Sequence, residues 1–132
     1  MVQFGYVIYY VRSVENTLAF FEKTYNMKRR MLTEEKDYGE LETGATVLAF
    51  ASHELGGSNF PDGYLHATEG TTPLGVEVAL VVDNVEEAHE KSLENGATEL
   101  KTPEQKPWGQ TVSYVTLPSG VLIELCTPVH AG

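Results

Sequence analysis

The sequence predicts an α+β protein built from two tandem βαβββ modules, with helices outside and a cupped β-sheet cavity inside. Two observations carry this. The order of elements repeats: a strand, a helix and three strands in residues 1–53, then the same series in residues 74–132. The repeat is also visible in the residues, since Tyr6, Val11, Val14 and Glu15 recur 71 positions later as Glu77, Val82, Val85 and Glu86, giving V-x-x-V-E at both strand-to-helix junctions. Neither half is long enough to hide both faces of its own sheet, so pairing the halves leaves a concave, strand-lined space for chemistry or binding.

In the first module, residues 3–11 (QFGYVIYYV) are rich in β-branched and aromatic types and read as a strand. Ser13 is placed to cap a helix from Val14 to Tyr25, on which Val14, Leu18, Phe21 and Tyr25 form one apolar stripe. Asn26 ends it, and three short strands follow near 28–33, 37–42 and 45–52. Residues 54–73 read as a structureless linker between modules, with the option of folding over the cavity mouth.

The second module opens with a strand over 75–82. Asn84 and Glu87 then form a capping box for a helix ending near Asn95, with Gly96 where a left-handed residue is wanted. Strands near 97–102, 110–116 and 121–127 complete the repeat, the last two joined by a Pro118-Ser119-Gly120 turn.

At 132 residues, with 42% hydrophobic and 21% charged residues, the chain fits one globular domain made of two modules. A net charge of −10 repels phosphate backbones and argues against nucleic-acid or anionic-membrane partners. No apolar run reaches transmembrane length. The opening Met1-Val2-Gln3-Phe4-Gly5 has neither the charged start nor the apolar middle of a secretion signal, and the single cysteine, Cys126, fits a reducing compartment. A cytoplasmic setting is expected.

The candidate site is read from strand alternation. Glu124 sits between Leu122 and Cys126 on one face of the last strand, where a carboxylate is out of place unless it is used. Tyr6, Glu77 and Glu124 all fall opposite the helix-packing residues and are expected to converge, with Tyr10 on the same side and Tyr9 under a helix. The two carboxylates can share a proton, hold a hard cation such as Mg²⁺ or Mn²⁺, or accept hydrogen bonds from a polar or cationic ligand. Trp108, on the Pro107-Trp108-Gly109 loop, can stack on a planar ligand or cap the hairpin, and Gln110 can hydrogen-bond. His53 and His66 bracket the linker, His89 reads as a solvated helix residue and His130 lies in the tail, so the histidines form no ligand pattern.

The paired modules, the opening VRSVENTLAFF and the ending PEQKPWGQTVSYV…GVLIELCTP resemble the vicinal-oxygen-chelate superfamily, which includes glyoxalases, bleomycin-resistance proteins and extradiol dioxygenases. The chain is most similar to small bacterial members. The resemblance implies a homodimer with a cupped β-surface that takes a small molecule. It also implies four metal-ligand positions, usually His or Gln, Glu, His and Glu, which here are Tyr6, Ala49, Glu77 and Glu124. The expectation is therefore a small-molecule binder without the usual metal centre. A metal-dependent lyase, isomerase or dioxygenase, with Glu77 and Glu124 holding the ion, is the alternative.

Overall fold

The computed structural model describes residues 1–68 and 72–129; His130, expected in the tail, lies outside them. The chain divides into two compact units, Met1–Ala67 and Thr68–Gly132. No helix among the described residues is long and apolar enough to cross a membrane.

The first unit runs β1 (Tyr6–Val11), α1 (Val14–Tyr25), β2 (Arg29–Leu32), β3 (Tyr38–Leu41), β4 (Val47–Ser52) and α2 (His53–Asn59). Its sheet has the order β1-β4-β3-β2, with β1 parallel to β4 and the other pairs antiparallel. A parallel pair needs a crossover connection. Here α1 and the β2–β3 meander supply it, and α1 packs along β2, β3 and β4.

Helix α1 begins where Ser13 Oγ accepts the Asn16 N–H at 3.1 Å and ends on Asn26, whose φ of 55° is left-handed. Val14, Leu18 and Phe21 are buried on its inner stripe, and the Phe21 ring lies 5.4 Å from Phe50 of β4. Each such side chain contributes about 1.5–3 kcal/mol by leaving water. Gly39 of β3 permits this approach, because a Cβ there would lie 2.5 Å from Leu18 Cδ1. The side chains facing α1 thus include Leu48 and Phe50, while Ala49, Tyr10 and Glu40 alternate to the face turned away from α1, where α2 packs at Tyr10.

Helix α2 occupies the start of the segment expected to lack structure. Ser52 Oγ accepts the Leu55 N–H at 3.1 Å, a cap that the following glycines obscure in the sequence. The segment through Ala67 belongs to the first unit.

The second unit repeats the plan as β5 (Val78–Val81), α3 (Val85–Glu94), β6 (Thr98–Gln105), β7 (Thr111–Thr116) and β8 (Leu122–Cys126), in the order β5-β8-β7-β6 with β5 parallel to β8. Asn84 Oδ1 accepts the Glu87 N–H at 3.0 Å, and Gly96 has φ +107° as expected. Val115, Ile123 and Leu125 are buried in the core of this unit, and α3 packs along β6, β7 and β8.

One expectation fails here. His89 is buried, not solvated: its Nδ1 lies 2.9 Å from Ser113 Oγ of β7 and its Nε2 2.7 Å from Glu99 Oε2 of β6. The glutamates around it in sequence suggested a wet face. Its spacing with Val85 and Ser92, both buried, places it on the inner stripe of α3 instead. Serine, histidine and glutamate here are arranged like an acyl-transfer relay, but Ser113 is wholly buried and cannot meet a substrate. The arrangement is a polar clamp between helix and sheet. His89→Ala should lower unfolding stability by about 2 kcal/mol, since it leaves Ser113 without this partner inside the core. Urea denaturation tests this, and a loss below about 0.5 kcal/mol would show that the clamp holds little.

Candidate functional site

Both sheets carry a carboxylate on the face turned away from α1 or α3, and each is held by a tyrosine. In the second unit Glu124 stands in one cross-strand row with Ala79 of β5 and Tyr114 of β7. Ile123 and Leu125 alternate toward the core, so Glu124 points the other way with Leu122 and Cys126. The Tyr114 hydroxyl donates to Glu124 Oε1 at 2.9 Å. Burial, followed by that hydrogen bond, pushes the Tyr114 phenol up to about 12, so it is a donor throughout the neutral range.

Glu77 lies one residue ahead of β5, which begins at Val78, and is exposed. It still reaches Glu124. Its carboxyl is held above the ordinary value first by desolvation, then by the charge of Glu124 and by a hydrogen bond between the two side chains. Tyr114, Glu124 and Glu77 thus form one polar group beside β5 and β8. Burial, then the hydrogen bond to Glu124, also raises the Cys126 thiol, and its Sγ lies 3.7 Å from the Leu80 carbonyl oxygen. The cysteine is therefore a packed thiol at neutral pH.

Trp108 is 65% exposed and does not cap the hairpin. Its indole N–H donates to Gln110 Oε1 at 2.9 Å, while Gln110 Nε2 donates to the Thr127 carbonyl oxygen at 2.9 Å. Gln110 thus ties the loop to the end of β8 and fixes the ring's direction.

In the first unit Tyr6, Ile8 and Tyr10 share the face of β1 turned away from α1, with Tyr6 and Ile8 exposed, whereas Tyr9 packs on Phe50 in the core. Ala49 is fully buried in a row between Ile8 and Glu40. Glu40 escaped the sequence reading. It is 8% exposed, accepts from the Tyr38 hydroxyl at 2.7 Å and pairs with Arg30 Nε at 3.4 Å. The signal was present in Tyr38-Gly39-Glu40-Leu41: a glutamate in strand register with a tyrosine, opposite a leucine that faces the helix.

Tyr10 also carries a cover. Its ring lies 5.0 Å from Tyr64 and 6.0 Å from Phe60, so the segment after β4 folds over the end of this face. There His53 Nδ1 is 2.7 Å from the Tyr64 hydroxyl, and the His53 and His66 rings stack at 3.8 Å. Burial and the neighbouring His66 both lower the His53 pKa.

The glyoxalase/bleomycin resistance protein/dioxygenase superfamily model matches residues 3–125. Several solved structures are similar in fold. A glyoxalase-related enzyme from Fulvimarina pelagi is 15% identical, with 97% of this chain and 89% of that one covered and a TM-score of 0.80. A glyoxalase/bleomycin resistance protein/dioxygenase family enzyme from Burkholderia phytofirmans PsJN is 17% identical, with 98% and 100% covered and a TM-score of 0.75. A superfamily member from Sphaerobacter thermophilus DSM 20745 is 21% identical, with 97% and 98% covered and a TM-score of 0.69. A search of curated proteins finds no match.

Two outcomes are expected at these sites. Because folding raises the Glu77 pKa, the unfolded chain gives up this proton more readily, so stability is lost as pH rises through the folded value. Glu77→Gln should therefore stabilise the protein at pH 7, by no more than about 0.5 kcal/mol given its solvent screening, and the gain should vanish below pH ~4. Thermal melts at the two pH values measure it. For His53 the sign is opposite: a lowered folded pKa means stability is lost as pH falls through the unfolded value near ~6.5. Hydrogen-exchange protection over residues 53–67, measured relative to the intrinsic rate at each pH, should fall between pH 7.5 and ~5.5 in the native protein, and the fall should be smaller in His53→Gln.

Proposed function

This chain belongs to the glyoxalase/bleomycin resistance protein/dioxygenase superfamily, and from that premise we propose that it binds a small organic molecule without a protein-held divalent metal. The observation that carries this reading is Glu124 on the face turned away from the core, accepting from the Tyr114 hydroxyl at 2.9 Å with the Glu77 carboxyl nearby. Such a group offers carboxylate acceptors, and a donor when Glu77 is protonated, to a polar ligand group.

The donor chemistry at the four positions implied by the resemblance supports the metal-free part. Ala49 has no donor atom. Tyr6 is a phenol, and a phenol is a poor ligand while it keeps its proton. A cation at Glu124 would have to compete with the Tyr114 hydroxyl. Among the described residues no group of three His, Cys, Asp or Glu side chains is arranged to hold a metal ion. The set does not fit the superfamily's usual centre.

In this reading Glu124 and Glu77 anchor the ligand's polar group, or move a proton to and from it if the ligand is turned over. Tyr114 keeps the Glu124 carboxylate in place. Trp108, fixed by Gln110, supplies a flat face for a planar portion. The reading includes the homodimer that the resemblance implies and the cytoplasmic setting expected from the single cysteine.

Trp108 is the sole tryptophan, so its fluorescence is a clean reporter. Titration with a panel of planar antibiotics and α-keto acids should quench or shift it saturably for at least one compound. Glu124→Gln should then weaken binding by roughly tenfold, about 1.4 kcal/mol. No response across the panel, together with unchanged behaviour of Glu124→Gln, would remove the support for this reading. One divalent ion per chain, found by elemental analysis of untagged protein and lost in Glu124→Ala, would favour a metal-dependent lyase or isomerase instead.

A further inference from the structure

The corresponding rows of the two sheets differ in where their carboxylate comes from. In the second unit the row reads Ala79–Glu124–Tyr114; in the first it reads Ile8–Ala49–Glu40. Ile8 and Ala79 are separated by the same 71 residues as the rest of the repeat. The fourth strand thus supplies the carboxylate in one unit and the third strand in the other. The polar group of the first unit is Glu40, and it does not stand alone.

Opposite Glu40 the edge strand carries a β-bulge. Arg29 pairs with Leu41 and Met31 with Glu40, which leaves Arg30 as the extra residue. Arg29 pairs instead with Glu22 of α1 at 2.7 Å, on the helix side. Leu32 opposite Gly39 returns to that side as well. The bulge therefore brings Arg30 and Met31 together beside Glu40, the kind of re-aiming for which bulges recur near functional sites. Without it, strict alternation would put only Arg30 there and send Leu32 to the face turned away from α1.

The resulting cluster is organised around a buried anion. Glu40 has its Oε1 toward Arg30 Nε and its Oε2 under the Tyr38 hydroxyl, and only 11% of its side chain is exposed. The Arg30 side chain is 47% exposed and meets Glu40 through Nε, so the terminal nitrogens of its fork are the donors turned toward solvent. A guanidinium held from behind by a buried carboxylate is pre-oriented to take a second carboxylate in front. The surroundings are mixed: Met31 offers apolar surface, and the exposed Tyr6 stands near enough to Tyr38 to act on its ionisation.

We propose that Arg30, held by Glu40 and with Met31 brought beside it by the bulge, is an anion site on the first unit that receives the carboxylate of a small organic acid. The assignment to an organic acid follows from a cation already partly neutralised by Glu40 and from the apolar Met31 beside it. An inorganic polyanion would find one guanidinium in a protein of net charge −10. The proposal rests on the reading that this protein binds a small organic molecule, and it assigns the first unit a preference for one that carries an acid group.

The test follows the Arg30 Nε–Hε resonance by ¹⁵N NMR in the full chain, assigned through Arg30→Gln, during titration with benzoate, benzamide and inorganic phosphate. Benzoate should shift that signal and the amides of residues 38–40 saturably, with benzamide and phosphate at least about tenfold weaker. Arg30→Gln should weaken benzoate binding by about tenfold or more, and Arg30→Lys should recover only part of it because the planar fork is lost. Benzoate shifts that are absent, or unchanged in Arg30→Gln, overturn the site. Phosphate matching benzoate overturns the organic-acid assignment. The readout lies in the first unit and is independent of Trp108 and Glu124, so failure here and failure of the proposed function are distinguishable.

Discussion

The parallel pairing of first strand to fourth strand, β1 with β4 and β5 with β8, is the constraint on which the rest of each unit depends. Parallel neighbours cannot be joined by a tight turn, so the chain must leave one edge of the sheet and return from the other. A single helix makes the outward crossing and a two-strand meander makes the return. One helix covers one face. The other face, with side chains from the same strands at alternate positions, is left for polar groups that the core could not accept.

Those polar groups are tolerated by local compensation. An isolated buried carboxylate would cost several kcal/mol, and neither unit leaves one isolated. Glu40 has a phenol and a guanidinium. Glu124 has the Tyr114 phenol and, nearby, the carboxyl group of Glu77. The two solutions differ in chemistry: the first pairs its carboxylate with a cation, the second sets it beside another carboxyl group. The two units of the duplicated fold therefore carry chemically distinct faces.

On the helix side the same logic works through His89. Its two ring nitrogens link α3 to β7 through Ser113 and to β6 through Glu99, where the first unit packs Phe21 against Phe50. A polar clamp and an aromatic contact do the same task in the two halves. The stacked His53–His66 pair, by contrast, holds down the segment over Tyr10 in a way that protonation opposes.

The sequence by itself determined the duplicated βαβββ order, the caps at Ser13 and Asn84, the left-handed stops at Asn26 and Gly96, and the faces of Tyr9, Tyr10 and Glu124. These depend on local periodicity and on residues within one or two turns of one another. Helix α2 stayed hidden because its glycines disguise a helix started by Ser52. The rest required the tertiary structure, for one physical reason: partners distant in sequence become neighbours only through strand register. Register brought Tyr114 under Glu124, and a one-residue bulge set Met31 next to Arg30 beside Glu40. Packing turned His89 inward toward Ser113. Strand alternation says which way a side chain points, but only the paired sheet says what it meets there.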